Sequence, residues 1–294
     1  MTTAITMLPS DQLGRLQDAY ASAVRAKRLR ALLGALVFLA CALLAARTAE
    51  IDVAKFAANI GRFPNYLKQL GPTLSLATLP ADLAEWFWGW KVWGKQLVET
   101  LLIAYLGTVL GAVGGFLLCF HAAANLAPSR IGRVAARRLL EFCRTVPEIV
   151  FALIFVIAFG LGPVPGVLAL AIHTIGALGK QFAEAVENID MHPVEGLTAA
   201  GATWVETMRY AALPQVAPNF ASYALMRFEM NVRGATIMGF VGAGGIGQEL
   251  LTAVRKFYYS DISAILIMII ATVMVIDIAT EQLRHSLIGG ARRA

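Results

Sequence analysis

The chain is short of charge: only 15% of its 294 residues are Asp, Glu, Lys or Arg, where an ordinary soluble protein carries about 25%. A water-facing surface of normal extent is excluded. Also missing are a GxxxxGK[ST] phosphate loop, an HExxH pair and a GxSxG elbow, the spacings that cradle phosphates, put two zinc ligands on one helix face, or expose a serine nucleophile. The chain has no visible means of using ATP or cutting a bond by itself. Cysteine is scarce too. Cys41, Cys119 and Cys143 lie in or beside apolar runs, with no CxxC pair and no histidine cluster near them, so they read as small buried hydrophobes. His121, His173, His192 and His285 share no metal-ligand spacing.

What the chain does have is hydrophobic length. Hydrophobic residues make up 58% of it, the mean hydropathy is +0.66, and several apolar runs approach the roughly 20 residues that carry a helix across a bilayer. Backbone groups in lipid must be bonded within their own segment. The expected fold is therefore all-α, a polytopic membrane protein with six transmembrane helices. The net charge of +6 does not point to nucleic acid, because the basic residues lie between apolar runs rather than along one aromatic-interleaved stripe. They read as topology signals.

Residues 1–30 form an expected cytoplasmic segment ending in Arg25, Lys27, Arg28 and Arg30, and residues 31–46 the first span. A cleaved leader is not expected, since the apolar stretch only begins at 31. Residues 47–96 form an extracytoplasmic segment ending in EWFWGWKVW, where Trp86, Trp90 and Trp93 share a helical face suited to the headgroup level. Residues 97–283 are the core, with five further spans. In the first of these Gly107, Gly111 and Gly115 recur at four-residue spacing, a face on which another backbone can approach closely. Residues 149–179 lack formal charge, but GLGPVPG at 160–166 breaks them into halves that must extend into polar sequence. Upstream, Glu141, Arg144 and Glu148 have the spacing of one helical face; downstream, Lys180, Glu184 and Glu187 do. Structural ion pairs and the walls of a polar cavity are both open readings.

A polar loop, 188–214, follows, then spans from about 217 to 241 and 262 to 283, and a tail, 284–294. Thirteen Lys and Arg fall on the side of the termini against eight opposite, six of those in the long 47–96 segment. Short loops dominate this bias, so both termini are expected inside. Gly242, Gly244 and Gly247 spell GxGxxG with Asp261 beyond, but an apolar helix rather than a strand precedes them, which argues for a sharp turn and against a dinucleotide loop. Arg227, Glu229, Asn231 and Arg233 interrupt an otherwise uncharged stretch. A charge at bilayer centre costs at least about 2.5–3.5 kcal/mol, so these side chains must face protein or water. Glu229 precedes Arg233 by four, the favourable order for a pair, which leaves Arg227 as the uncompensated cation and a candidate to ease passage of an anion.

Glu195, Gly201 six residues on and Leu213-Pro214 twelve beyond that fit E-A-A-x3-G-x9-I-x-L-P, with Gly196 and Leu197 replacing the alanines and Ala211 the isoleucine. This loop resembles the coupling helix that ABC importer permeases dock into their ATP-binding subunits. Compact residues suit such a groove, a glycine permits close approach, and a proline would stop the helix before the next span. With RTVPEIVFALIFVIAFGLGP, ENIDMHPVEGLTAAGA and RFEMNVRGATIMGFVGAGGIG, residues 95–285 look like the permease subunit of phosphonate-type ABC importers, a type I importer fold. The resemblance implies a bacterial inner membrane, a homodimeric or paralogous permease pair, two ATP-binding subunits that carry ATP and Mg, no cofactor in this chain, and a binding protein delivering a phosphorus oxyanion. It assigns coupling to Glu195, Gly196, Ala200, Gly201, Ala202, Trp204, Leu213 and Pro214, and the pathway reading covers Arg227, Glu229, Asn231 and Arg233. The rivals are an ion-coupled transporter using Glu229, Asp277 or Lys180, a permease for another small solute such as an amino acid, and a membrane enzyme, for which no nucleophile-and-base set is visible.

Overall fold

A computed structural model describes residues 10–50, 52–72, 75 and 77–291. The chain divides into two units, 1–66 and 67–294. The first begins with α1 (Ser10–Thr48), so the apolar stretch 31–46 is the second half of one helix. No proline interrupts it, and its Ala, Leu, Arg and Lys are strong helix formers. Leu36 and Phe38 are exposed within this unit. Next comes α2 (Val53–Asn59), capped by Asp52, whose carboxylate accepts from the amide of Lys55 at 2.9 Å. A 3₁₀ turn (Ile60–Arg62) and α3 (Phe63–Leu70) lead out of the unit.

The second unit opens with α4 (Leu79–Trp86) and α5 (Trp90–Ala122). The chain turns between them, so Trp86 and Trp93 do not share one helix as their spacing suggests. Trp86, Trp88 and Trp93 each find a place against protein instead. Trp86 Nε1 donates to Ser263 Oγ at 3.0 Å and Trp88 Nε1 to the Asp261 carboxylate at 3.0 Å, while Trp93 is 3% exposed and folds back over Gly89. Of the three tryptophans read as one surface face, Trp90 remains exposed.

α6 (Arg130–Thr145) and α7 (Glu148–Phe159) meet at an angle of 84°. Val146 has φ −75° and ψ 123°, because a residue before proline is pushed out of the α region. Glu148 therefore leaves the helix that carries Glu141 and Arg144, contrary to the single face expected for the three. α8 (Pro163–Glu187) follows the Gly160–Gly162 turn. Then come α9 (His192–Ala199), α10 (Trp204–Thr207), a π-turn (Met208–Ala212), α11 (Leu213–Met238), a 3₁₀ turn (Gly239–Val241), α12 (Ile246–Arg255) and α13 (Tyr259–Ala291).

Among the described residues, Ala19–Thr48, α5, α8 and Tyr259–Ser286 are long and apolar enough to cross a membrane; the bent pairs α6 with α7 and 204–241 with α12 bring the number to six if each is one span. Apolar side chains gain little by leaving lipid for protein, so close packing and interhelical hydrogen bonds must hold such helices together. The α5–α8 contact has this character. A Cβ on Gly107 would come within 2.6 Å of Leu170 Cβ, one on Gly115 within 2.8 Å of the Gly179 amide, and one on Gly111 would overlap Thr174. At the α6–α8 crossing, Gly176 leaves room for Leu140 O, which a Cβ would meet at 2.6 Å. Beyond the glycine contacts, Phe182 stacks on Phe220 with ring centroids 4.1 Å apart.

Candidate functional site

The loop between α8 and α11 is folded rather than extended. Its ends are tied by Gln215, which accepts from the Asp190 amide at 3.0 Å and donates to the Asp190 carbonyl at 3.1 Å. Asp190 also takes the His192 amide at 3.0 Å and the imidazole Nδ1 at 2.6 Å. The side-chain hydrogen bond that the ring donates to Asp190 raises the His192 pKa above its ordinary 6.5, and the His192 amide, followed by the ring, lowers that of Asp190 below 3.8.

α9 buries Val194 and turns Leu197 half inward, which leaves Glu195, Gly196, Ala199 and Ala200 exposed on the other side. It ends in a Schellman turn: the Ala202 amide donates to Leu197 O at 3.1 Å and the Gly201 amide to Thr198 O at 3.0 Å. Gly201 has φ +85° and open space where a Cβ would stand. Within the chain this glycine serves backbone conformation, and the close approach expected of it is not made to any of the described residues.

α10 starts with a capping box, in which the Glu206 carboxylate accepts from the Thr203 amide at 2.7 Å. That hydrogen bond to the Thr203 side chain and then its amide lowers the Glu206 pKa. Trp204 turns inward: Nε1 donates to Leu126 O at 2.8 Å and the ring lies 5.2 Å from that of His121. Leu213 packs beside it against the same buried cluster, and Ala202 is half-buried.

Pro214 does not stop the helix. It sits in the first turn of α11, directly after the π-turn, where the Leu213 amide reaches back to Met208 O. A proline ring ordinarily collides with the carbonyl four residues earlier, and a widened turn relieves that clash. The loop and span five are thus one mechanical piece.

At the adjoining end of α8 the charged residues form both ion pairs and a cavity. Arg137 pairs with Glu187 and donates from Nε to Ala122 O at 2.8 Å, and Glu187 accepts the Ala124 amide at 2.7 Å. Lys180 lies 3.3 Å from Glu184. These residues, with Glu141 and Arg144, line a cavity of about 150 Å³.

Deeper in the helices lies a polar layer. Asn231, 2% exposed, donates from Nδ2 to Thr108 Oγ1 at 2.8 Å and to Thr174 Oγ1 at 3.0 Å, joining α11 to α5 and α8. Its amide joins three helices within this chain. Glu229 pairs with Arg233 at 2.5 Å, and Arg233 also stands 3.5 Å from an Asp277 oxygen on α13, at ion-pair distance but without hydrogen-bond geometry. Arg227 has no carboxylate within ion-pair distance among the described residues. Its contacts are Thr174 Oγ1 at 3.4 Å and Met230 Sδ at 3.9 Å. Across from it, His173 places Nδ1 3.2 Å from Val146 O and 3.8 Å from a Glu148 oxygen.

Thr108 and Thr174 escaped the sequence reading, and Glu148 entered it only as a partner of Glu141 and Arg144. The available signal was a threonine on α5 and another on α8 inside otherwise apolar turns, which in lipid must spend their hydroxyls on protein. The GxGxxG segment forms a turn, with Gly242 and Gly244 at φ +84° and +86°. α12 begins beside it, where the Gly245 and Ile246 amides donate to Glu99 at 3.2 Å and Thr100 at 2.9 Å.

Residues 115–288 match the family described as binding-protein-dependent transport system inner membrane component. Among curated relatives, the phosphite transport system permease protein PtxC of Stutzerimonas stutzeri is 44% identical over 72% of this chain and 76% of its own. The phosphate-import permease protein PhnE of Mycolicibacterium smegmatis is 39% identical over 68% of this chain and 37% of that longer protein. The fold is that of a subunit in the inward-facing MetNI methionine ABC transporter, with a TM-score of 0.56 and 21% identity over 66% of this chain and 95% of the other. The spans, the folded loop before α11 and these likenesses have one conclusion: the chain belongs to the family of binding-protein-dependent transport system inner membrane components, and is a transport subunit rather than an enzyme.

Proposed function

We propose that the chain is the permease of an ATP-driven importer for a phosphorus oxyanion, and that it passes the anion by alternating access. The supporting observation is Arg227, a cation within a span that has no carboxylate at ion-pair distance among the described residues, in a chain whose relatives carry the names phosphite and phosphate. A half-buried cation without a mate is costly alone and favourable when an anion arrives. Two copies of the permease, or this chain and a paralogue, enclose the pore. Two ATP-binding subunits, holding ATP and Mg, sit beneath, and a binding protein delivers the anion from outside. Both termini lie in the cytoplasm.

The exposed side of α9, with Glu195, Gly196 and Ala200, is the surface we assign to the ATP-binding subunit, and Gly201 shapes its end. Trp204, Leu213 and Pro214 act from behind it by joining α9 and α10 to α11. Closure of the ATP-binding pair then draws on α11 through a stiff connection, and α11 carries Arg227.

The test is uptake of phosphite, methylphosphonate and phosphate into proteoliposomes holding the permease, the ATP-binding subunit and the binding protein. Uptake of at least one anion that requires ATP is the expected result. Uptake by the permease alone under a proton gradient would instead establish an ion-coupled carrier, and uptake only of an amino acid would refute the oxyanion assignment.

A further inference from the structure

Arg227 and Glu148 carry opposite charges on neighbouring helices, and neither has a close mate. The guanidinium has five N–H donors and spends them on one long hydroxyl contact and a thioether. The Glu148 carboxylate has His173 Nδ1 at 3.8 Å, but that nitrogen also lies 3.2 Å from Val146 O, the nearer acceptor for its proton. Glu148 lies against α11 as well: a Cβ on Gly234 would stand 3.7 Å from its Oε1. Gly234 is seven residues, or two helical turns, beyond Arg227 on the same face. The two charges also meet consecutive residues of α8, His173 Nδ1 at 3.8 Å from the Glu148 carboxylate and Thr174 Oγ1 at 3.4 Å from Arg227, and are not themselves within ion-pair distance.

Apart from Arg144 in the last turn of α6, which has no ion-pair partner among the described residues, the other charges nearby are already engaged. Glu229 and Asp277 hold Arg233, and Asn231 is fixed between Thr108 and Thr174. Thr174 Oγ1 accepts from both Asn231 and Arg227. It therefore anchors the guanidinium on α8, one residue from the histidine that faces Glu148. The kink at Val146-Pro147 puts Glu148 at the start of α7, so a modest rotation of α7 against α11 changes its distance from Arg227.

We propose that Glu148 is a resident counter-anion: it replaces the transported oxyanion on Arg227 and so drives its release. The proposal rests on the oxyanion reading above. Two anions competing for one cation in a low-dielectric setting exclude each other, and a tethered carboxylate prevails once the pore opens to bulk water. Glu148 is then a positioning residue for release and gives substrate no grip of its own.

The experiment is product inhibition. Proteoliposomes containing the complete transporter, with ATP inside, are preloaded with phosphite over a range of concentrations, and the initial rate of labelled phosphite uptake gives the internal concentration that halves it. Removing the competitor by Glu148→Gln should lower that concentration about tenfold, within the usual range of coupling between sites. Glu148→Asp keeps the charge on a shorter arm and should fall in between, and it reads the same quantity if the glutamine variant does not assemble. Adding Arg227→Gln to Glu148→Gln should abolish the increased sensitivity. A lower maximal rate with an unmoved half-inhibition value would make Glu148 merely structural and overturn the proposal. If the wild-type complex carries no oxyanion at all, the functional reading fails first and this inference with it.

Discussion

Trp204 is bound to Leu126 across 78 residues of chain, its indole Nε1 donating a 2.8 Å hydrogen bond to the carbonyl. The bond fastens the loop before α11 to the turn after α5. A loop meant to transmit force needs such a second attachment, because one tied only at its ends would flex. Replacing Trp204 with Phe keeps most of the ring and removes the bond, at a cost of about 1 kcal/mol. The complex should assemble while uptake per ATP hydrolysed falls. An unchanged ratio, measured by parallel uptake and phosphate-release assays, would leave Trp204 a packing residue only.

Gly201 has φ +85° and unoccupied space around it. Gly201→Val should therefore strain the Schellman turn by about 1–2 kcal/mol, whereas Gly201→Asn, a residue that tolerates the left-handed region, should be milder. Stimulation of ATP hydrolysis by the binding protein is the readout. Gly201→Glu adds a charge on the proposed docking surface and should stop transport with the protein still in the membrane.

Asn231 is buried between two threonines. Asn231→Leu leaves Thr174 without that donor and overfills a tight site, so thermal stability of the solubilised permease should drop, by about 1–3 kcal/mol if expressed as free energy. Equal melting curves for the two proteins would show that the polar layer contributes nothing to packing.

Arg227→Ala should slow oxyanion uptake with complex assembly preserved, since among the described residues its side chain forms no ion pair that holds the helices together. Assembly is read by co-purification of the ATP-binding subunit. Rates equal to wild type would assign Arg227 to structure.

The Asp190–His192 contact sets a pH window. The raised His192 pKa means its contribution is full below the unfolded value near 6.5 and is lost as pH rises through the higher folded value. The lowered Asp190 pKa means its contribution is present above 3.8 and is lost as pH falls through a still lower folded value. The contact is strongest between those limits. NMR titration should put the His192 imidazole above 6.5, and Asp190→Asn should bring it down toward the ordinary value, with Glu195 still favouring the charged ring.

Local spacing made some of this site readable. Glu229 and Arg233 are one turn apart on a single helix, and their pairing needs no knowledge of any other segment. The glycines of α5 were readable for the same reason, because four-residue spacing defines one face whichever helix comes to meet it. The Val146-Pro147 break runs against the single face that spacing alone gives Glu141, Arg144 and Glu148, because a residue before proline is pushed out of the α region.

The amino-acid order alone determined that the chain lies in lipid, where its helices form, and that a small-residue loop stands before the fifth span, since hydrophobic length and short-range spacing act within a segment. Only the tertiary structure decided that Trp204 points inward to Leu126, that Asn231 is spent on Thr108 and Thr174, and that Glu148 faces the helix of Arg227. Those relationships depend on how each helix is rotated about its axis against its neighbours, and that rotation is fixed by packing between residues far apart in sequence.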